Sequence, residues 1–199
     1  MGQRSQIYVR YEGKLLIARY YQWNYAERMI SRARYGMEYL QSHLEYPFLF
    51  KDSSFIHKLI RIFDTNFDMK DVQISSDIFW EYEQYAITED DGFYEYVFRY
   101  QDNNDGKCLI DVADGIIKYA FLNDTADADH IMSAQDYMDW DDDAFWHRHN
   151  ENSDFVGKTC RENINAIAEL ATLMTKDEVE NFIHTEDYYG KPEPFEQET

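Results

Sequence analysis

Two stretches of this chain alternate apolar and polar residues on either side of an acidic residue followed by glycine. Each commits to a β-hairpin. Gln6–Tyr11 sets Ile7, Val9 and Tyr11 against Tyr8 and Arg10, Glu12-Gly13 supplies the turn, and Lys14–Tyr21 returns. A hundred residues later Cys108–Val112, Asp114-Gly115 and Ile116–Leu122 follow the same plan. An isolated hairpin is marginal in water, so both need helices or further strands over their apolar faces.

The sequence supplies those helices. Ala26, Ile30, Ala33, Met37, Leu40 and Leu44 step by four and three, with Asn24 and Glu27 placed as a capping pair and Pro47 as the stop. Ser54–Phe63 predicts a shorter helix with Phe55, Leu59 and Ile62 along one side. Thr159–Met174 predicts another, with Cys160, Ile164, Ile167, Ala171 and Met174 in register. Lys176–His184 follows behind a Thr175/Glu178 capping box. Between them, Ile78–Tyr85 and Phe93–Tyr100 alternate like strands, the second placing Tyr94, Tyr96, Phe98 and Tyr100 on one side. With the later hairpin these make a central antiparallel meander. The expected architecture is a single α+β domain over 1–185: an N-terminal hairpin and helices, the meander, then C-terminal helices. Residues 186–199 hold two Pro and five acidic residues and read as a disordered tail.

Charge divides the domain. Residues 1–63 hold ten Lys/Arg and five Asp/Glu, a net of +5, whereas 64–199 hold nine and thirty-four, a net of −25. The total of −20 excludes a protein that coats DNA, because neutralising phosphates needs basic surface. It also exceeds the magnitude of about 2–8 that suffices for solubility in a small domain. Two cysteines, Cys108 and Cys160, are too few for a disulfide framework and point to a reducing compartment. The polar start and the absence of a run of about 18 apolar residues give no signal peptide and no membrane span. The expected location is the cytoplasm.

Most catalytic readings fail on spacing. Aligning Gly106 with the glycine of a calcium loop puts Gln101 and Val112 where acidic ligands belong. Cys160 falls on the apolar register of its helix, as a buried structural thiol would. No glycine-rich phosphate loop or nucleophile elbow occurs. His147 and His149 beside Asp139 and Asp141–Asp143 are the residue types of a zinc or manganese site, in no established spacing. A metal-dependent hydrolase built on them is one alternative reading; otherwise no cofactor is expected.

The distinctive surface is acidic and aromatic. Asp136, Asp139, Trp140, Asp141, Asp142 and Asp143 place carboxylates close together around an indole, and Glu89, Asp90 and Asp91 add a second acidic group. Carboxylates so spaced imitate a row of phosphates toward a protein that grips nucleic acid, while an aromatic anchor turns charge attraction into an interface. The aromatic row at 94–100 suits base stacking, but its acidic flank favours a protein partner. Arg28, Arg32 and Arg34 form the one candidate nucleic-acid contact. They support a further alternative, an adaptor with a basic, nucleic-acid-binding N-terminal part.

The opening, Met1-Gly2-Gln3-Arg4-Ser5-Gln6-Ile7-Tyr8-Val9-Arg10, together with Tyr20-Tyr21-Gln22-Trp23-Asn24-Tyr25-Ala26-Glu27-Arg28-Met29-Ile30, resembles small proteins of prophages and mobile elements in gut Firmicutes. By charge and size the chain is also similar to type II anti-CRISPR proteins, inhibitors of RNA-guided nucleases. That resemblance implies an inhibitor that occupies the cationic channel or the PAM-reading surface of such a nuclease, where Arg and Lys meet phosphate and base edges. It transfers no binding residue.

Overall fold

The computed structural model describes residues 3–85, 92–99, 104–140 and 155–192. Both expected hairpins form. Strands β1 (Arg4–Tyr11) and β2 (Lys14–Gln22) pair around Glu12-Gly13, and β6 (Lys107–Ala113) and β7 (Ile116–Leu122) pair around Asp114-Gly115. In each turn both central residues have positive φ (45° and 79°, 52° and 72°), the geometry that matches the twist of the strands it joins.

The hairpins lie side by side with their first strands parallel, from Gln6 opposite Lys107 to Tyr11 opposite Val112. Two-residue strands extend the sheet: β5 (Ser76–Asp77) beside β2, and β8 (Thr172–Leu173) beside β7. The result is a six-stranded mixed sheet of order β5-β2-β1-β6-β7-β8. Its edges are too short to template another chain. A small separate hairpin pairs β3 (Thr65–Asn66) with β4 (Asp71–Val72).

Both faces of the sheet are covered. Ile7, Val9, Tyr21, Cys108, Ile110 and Phe121 face α1 (Ala26–Gln41), α2 (Ser53–Asp64), α4 (Ala134–Trp140) and α5 (Phe155–Leu170). Alternate residues Tyr8, Ala18, Leu109, Ala120 and Leu122 face α3 (Ile78–Tyr85), the π-helical turn Glu95–Arg99 and α6 (Lys176–Ile183). The chain is thus an α+β domain with helices on each side of the sheet. Ala26, Ile30, Ala33, Met37 and Leu40 are buried, as their spacing requires. Gly36 sits where a Cβ would fall 2.2 Å from the Phe63 ring, so its missing side chain sets how closely α1 and α2 approach. No helix among the described residues is long and apolar enough to cross a membrane.

Four local expectations are corrected. Ile78–Tyr85 is helical, because the Asp77 carboxylate accepts from the Phe79 and Trp80 N–H groups at 3.0 and 3.2 Å and starts a helix there. Residues 93–99 are helical too: Tyr96, Val97 and Phe98 are buried in succession, which a strand with one open face does not do. At α1, the N-cap is Tyr25; Asn24 instead donates to Ser5 Oγ at 2.7 Å inside the fold. Finally, the start of the tail is structural. Leu15 and residues 187–189 exchange backbone hydrogen bonds (2.9 and 2.8 Å), and buried Tyr188 stacks on Phe79 and Phe93. Residues 193–199 lie outside the described residues.

Candidate functional site

The acidic segment enters the fold as α4, which begins with a reciprocal cap. Ser133 Oγ accepts from the Asp136 N–H at 3.1 Å, and the Asp136 carboxylate accepts from the Ser133 N–H at 3.2 Å and hydroxyl at 2.7 Å. Ala134, Tyr137 and Met138 point inward, and the Tyr137 hydroxyl donates to the Asp105 carbonyl at 2.6 Å. Asp136, Asp139 and Trp140, three and four residues apart, are left together on the exposed side. Trp140 is 36 % exposed. It leans on Tyr137, with ring centroids 6.0 Å apart, and covers Gly106, where an added Cβ would lie 3.3 Å from the indole and 2.6 Å from the Leu122 carbonyl. Asp141, Asp142, Asp143, Glu89, Asp90, Asp91, His147 and His149 lie outside the described residues.

Before α4, the loop after β7 adds two carboxylates. The Asp129 N–H at 2.8 Å and His130 at 3.0 Å hold the Asp127 carboxyl below its usual pKa. Asp129 pairs with Lys176 at the start of α6.

The basic first third does not form a matching positive face. Arg10 makes a two-pronged pair with Asp111 (2.9 and 2.6 Å) and reaches Asn181 and Thr185. Arg19 binds Ser75 and lies 3.1 Å from Asp77. Of the three arginines expected to meet nucleic acid, Arg28 pairs with Asp71 at 2.9 Å, and Arg34 reaches Glu38 at 2.9 Å and Asn163 at 3.0 Å. Arg32 is fully buried: it donates to Asn24 Oδ1 at 3.0 Å and to the Phe63 carbonyl, under the Tyr21 ring. Burial draws its pKa below the ordinary guanidinium value. A phosphate cannot reach Arg32 without opening the core, and Arg28 and Arg34 are each already engaged by a carboxylate. The opposite charges compensate one another inside one fold.

The aromatic row is dispersed as well. Phe98 stacks on Tyr8, Tyr94 stacks on His184 and Tyr96 packs against Tyr82, while Tyr100 lies outside the described residues. Cys108 and Cys160 are buried free thiols, and burial pushes the Cys108 thiol well up. Among the described residues no three His, Cys, Asp or Glu side chains gather to hold a metal ion.

Two features had no sequence signal. Lys107 is fully buried with its ammonium 2.8 Å from the Asp124 carbonyl, and desolvation lowers its pKa to about 7. The β3–β4 hairpin exposes Phe67, Met69 and Val72, and Ile74 just after it is 86 % exposed. Periodicity marks which face of an element is apolar, but not whether anything covers it.

No protein-family model, no curated protein and no solved structure matches this chain.

Proposed function

We propose that this chain is an acidic inhibitor that docks on the cationic nucleic-acid-binding groove of a protein partner, with a CRISPR-type RNA-guided nuclease the first partner to test. It would act in the cytoplasm of a bacterial host and block DNA binding or cleavage. The observation that carries the reading is how the cations are used. Arg10, Arg19, Arg28, Arg32 and Arg34 are each engaged by groups of the same domain, while the sequence holds 39 acidic against 19 basic residues. Asp136, Asp139 and the part-exposed Trp140 share one face of α4 in the combination of charge and aromatic anchor that such docking needs. The same use of arginines disfavours the adaptor reading, whose nucleic-acid contact was Arg28, Arg32 and Arg34.

The test is co-elution with guide-loaded type II nucleases on size exclusion at low and high salt, followed by association kinetics. Replacing Asp136 and Asp139 with Asn keeps the cap, since the amide oxygen still accepts, but removes two charges. Association should slow by several-fold and lose part of its salt dependence. Trp140→Ala should instead speed dissociation by about tenfold or more. Absence of a complex with every nuclease tested, or rates unaltered by these changes, overturns the proposal.

A further inference from the structure

A second site lies at the turn end of the sheet, independent of the inhibitor reading. Between the Glu12-Gly13 turn, the 3₁₀ turn Pro47–Lys51 and residues 187–189 opens a cleft of about 530 Å³. That volume is within the range of about 300–1,000 Å³ typical of small-molecule sites. Its walls are fixed by backbone hydrogen bonds: Glu12 N–H to Val112 (2.9 Å), Leu15 N–H to Asp187 (2.9 Å) and Tyr189 N–H to Leu15 (2.8 Å). Leu16 and Phe50 form the floor, and the Tyr11 ring stacks on Phe50 with centroids 4.3 Å apart and planes 10° from parallel.

The rim chemistry is specific. Lys51 is exposed and makes no ion pair among the described residues. Lys14 is 3.8 Å from Asp187, a loose and exposed pair that costs little to break. Glu12 is held in place by the Asp114 N–H at 2.9 Å. In the charged cleft over β6 and β7, by contrast, Arg10 and Lys118 are already paired with Asp111 and Glu178.

We infer that this cleft binds a nucleoside monophosphate. Lys14 and Lys51 take the phosphate, Tyr11 and Tyr189 offer ring surface to the base, and Asp187 and Glu12 accept from the ribose hydroxyls. Two cations alone would suit any anion. The aromatic walls and the two carboxylates select one carrying a flat ring, which stacks on aromatic side chains, and a diol.

Isothermal titration of the full-length protein with adenosine 5′-monophosphate, adenosine and inorganic phosphate tests this. The monophosphate should bind, with adenosine and phosphate each at least about tenfold weaker, since each lacks one half of the recognition. Lys51→Ala and Lys14→Ala, both at exposed positions, should each weaken monophosphate binding about tenfold without lowering the melting temperature. Lys58→Ala serves as a control and should change nothing, because its ammonium lies over the Tyr39 ring. No heat at millimolar monophosphate overturns the inference. So does equal binding of phosphate alone, or unchanged affinity in both lysine variants.

Discussion

Lys107 offers the sharpest test of the buried electrostatics. Its ammonium lies in the core with the Asp124 carbonyl as its hydrogen-bond partner among the described residues, and its pKa falls from 10.5 to about 7. Between those values the unfolded chain holds a proton that the folded chain has released. Stability must therefore rise with pH across this window and level off below pH 7. At about 1.4 kcal/mol per pH unit, the wild type should gain roughly 3 kcal/mol between pH 7 and pH 9 from this group. The full interval corresponds to about 5 kcal/mol.

Lys107→Met removes the titration and keeps most of the side-chain volume. It leaves the Asp124 carbonyl short of a donor, a cost of about 1–3 kcal/mol that does not vary with pH. Urea unfolding followed by tryptophan fluorescence at pH 6, 7.5 and 9 measures the difference between variant and wild type. That difference should move in favour of wild type by roughly 3 kcal/mol from pH 6 to pH 9, whatever its starting value. Readings stop at pH 9 because Tyr8, Tyr21 and Cys108 are all held protonated by burial and lower stability at higher pH. Parallel pH profiles for the two proteins would refute the reasoning, since Lys107 would then carry its charge in the folded state.

Three further outcomes follow from packing. Arg32→Leu should lose about 2–4 kcal/mol in urea unfolding, because Asn24 and the Phe63 carbonyl lose a buried donor. Gly36→Ala should lower stability by about 1–3 kcal/mol despite alanine's better helix propensity, since the new Cβ meets the buried Phe63 ring; an unchanged melt would show that the ring can move aside. Truncation after Thr185 should lower stability by about 3–5 kcal/mol, as removing a buried aromatic does, because Tyr188 closes over Phe79 and Phe93. A melting temperature equal to the full-length protein's would return that segment to the status of a tail.

What the sequence disclosed was local. The Glu12-Gly13 and Asp114-Gly115 turns, the register from Ala26 to Leu40 and the Thr175/Glu178 cap each depend on residues within a few positions and appear as expected, whereas α1 ends at Gln41, short of Leu44. Where half or more of the residues are aromatic, as at 78–85 and 93–99, alternation loses its meaning, and the capping carboxylate of Asp77 was the better guide. Arg32 lies on the polar side of the helical wheel, yet it is buried because Asn24, Phe63 and Tyr21 converge on it from other elements. Long-range convergence of that kind also built the 530 Å³ cleft, whose lining is drawn from three separate stretches of the chain. On α4 the 136/139/140 spacing was readable, whereas the seating of Trp140 over Gly106 was not.

The parallel seam between β1 and β6 joins residues about a hundred positions apart, from Gln6–Lys107 to Tyr11–Val112. Each hairpin can close locally within microseconds, but the seam has to wait for the chain between them. During synthesis at about 5–20 residues per second, β1 is therefore left with an open hydrogen-bonding side for roughly 5–20 s before β6 exists. In that interval the newly made N-terminal third holds a solvent-facing strand beside apolar helices, and a ribosome-associated chaperone has its clearest reason to bind there.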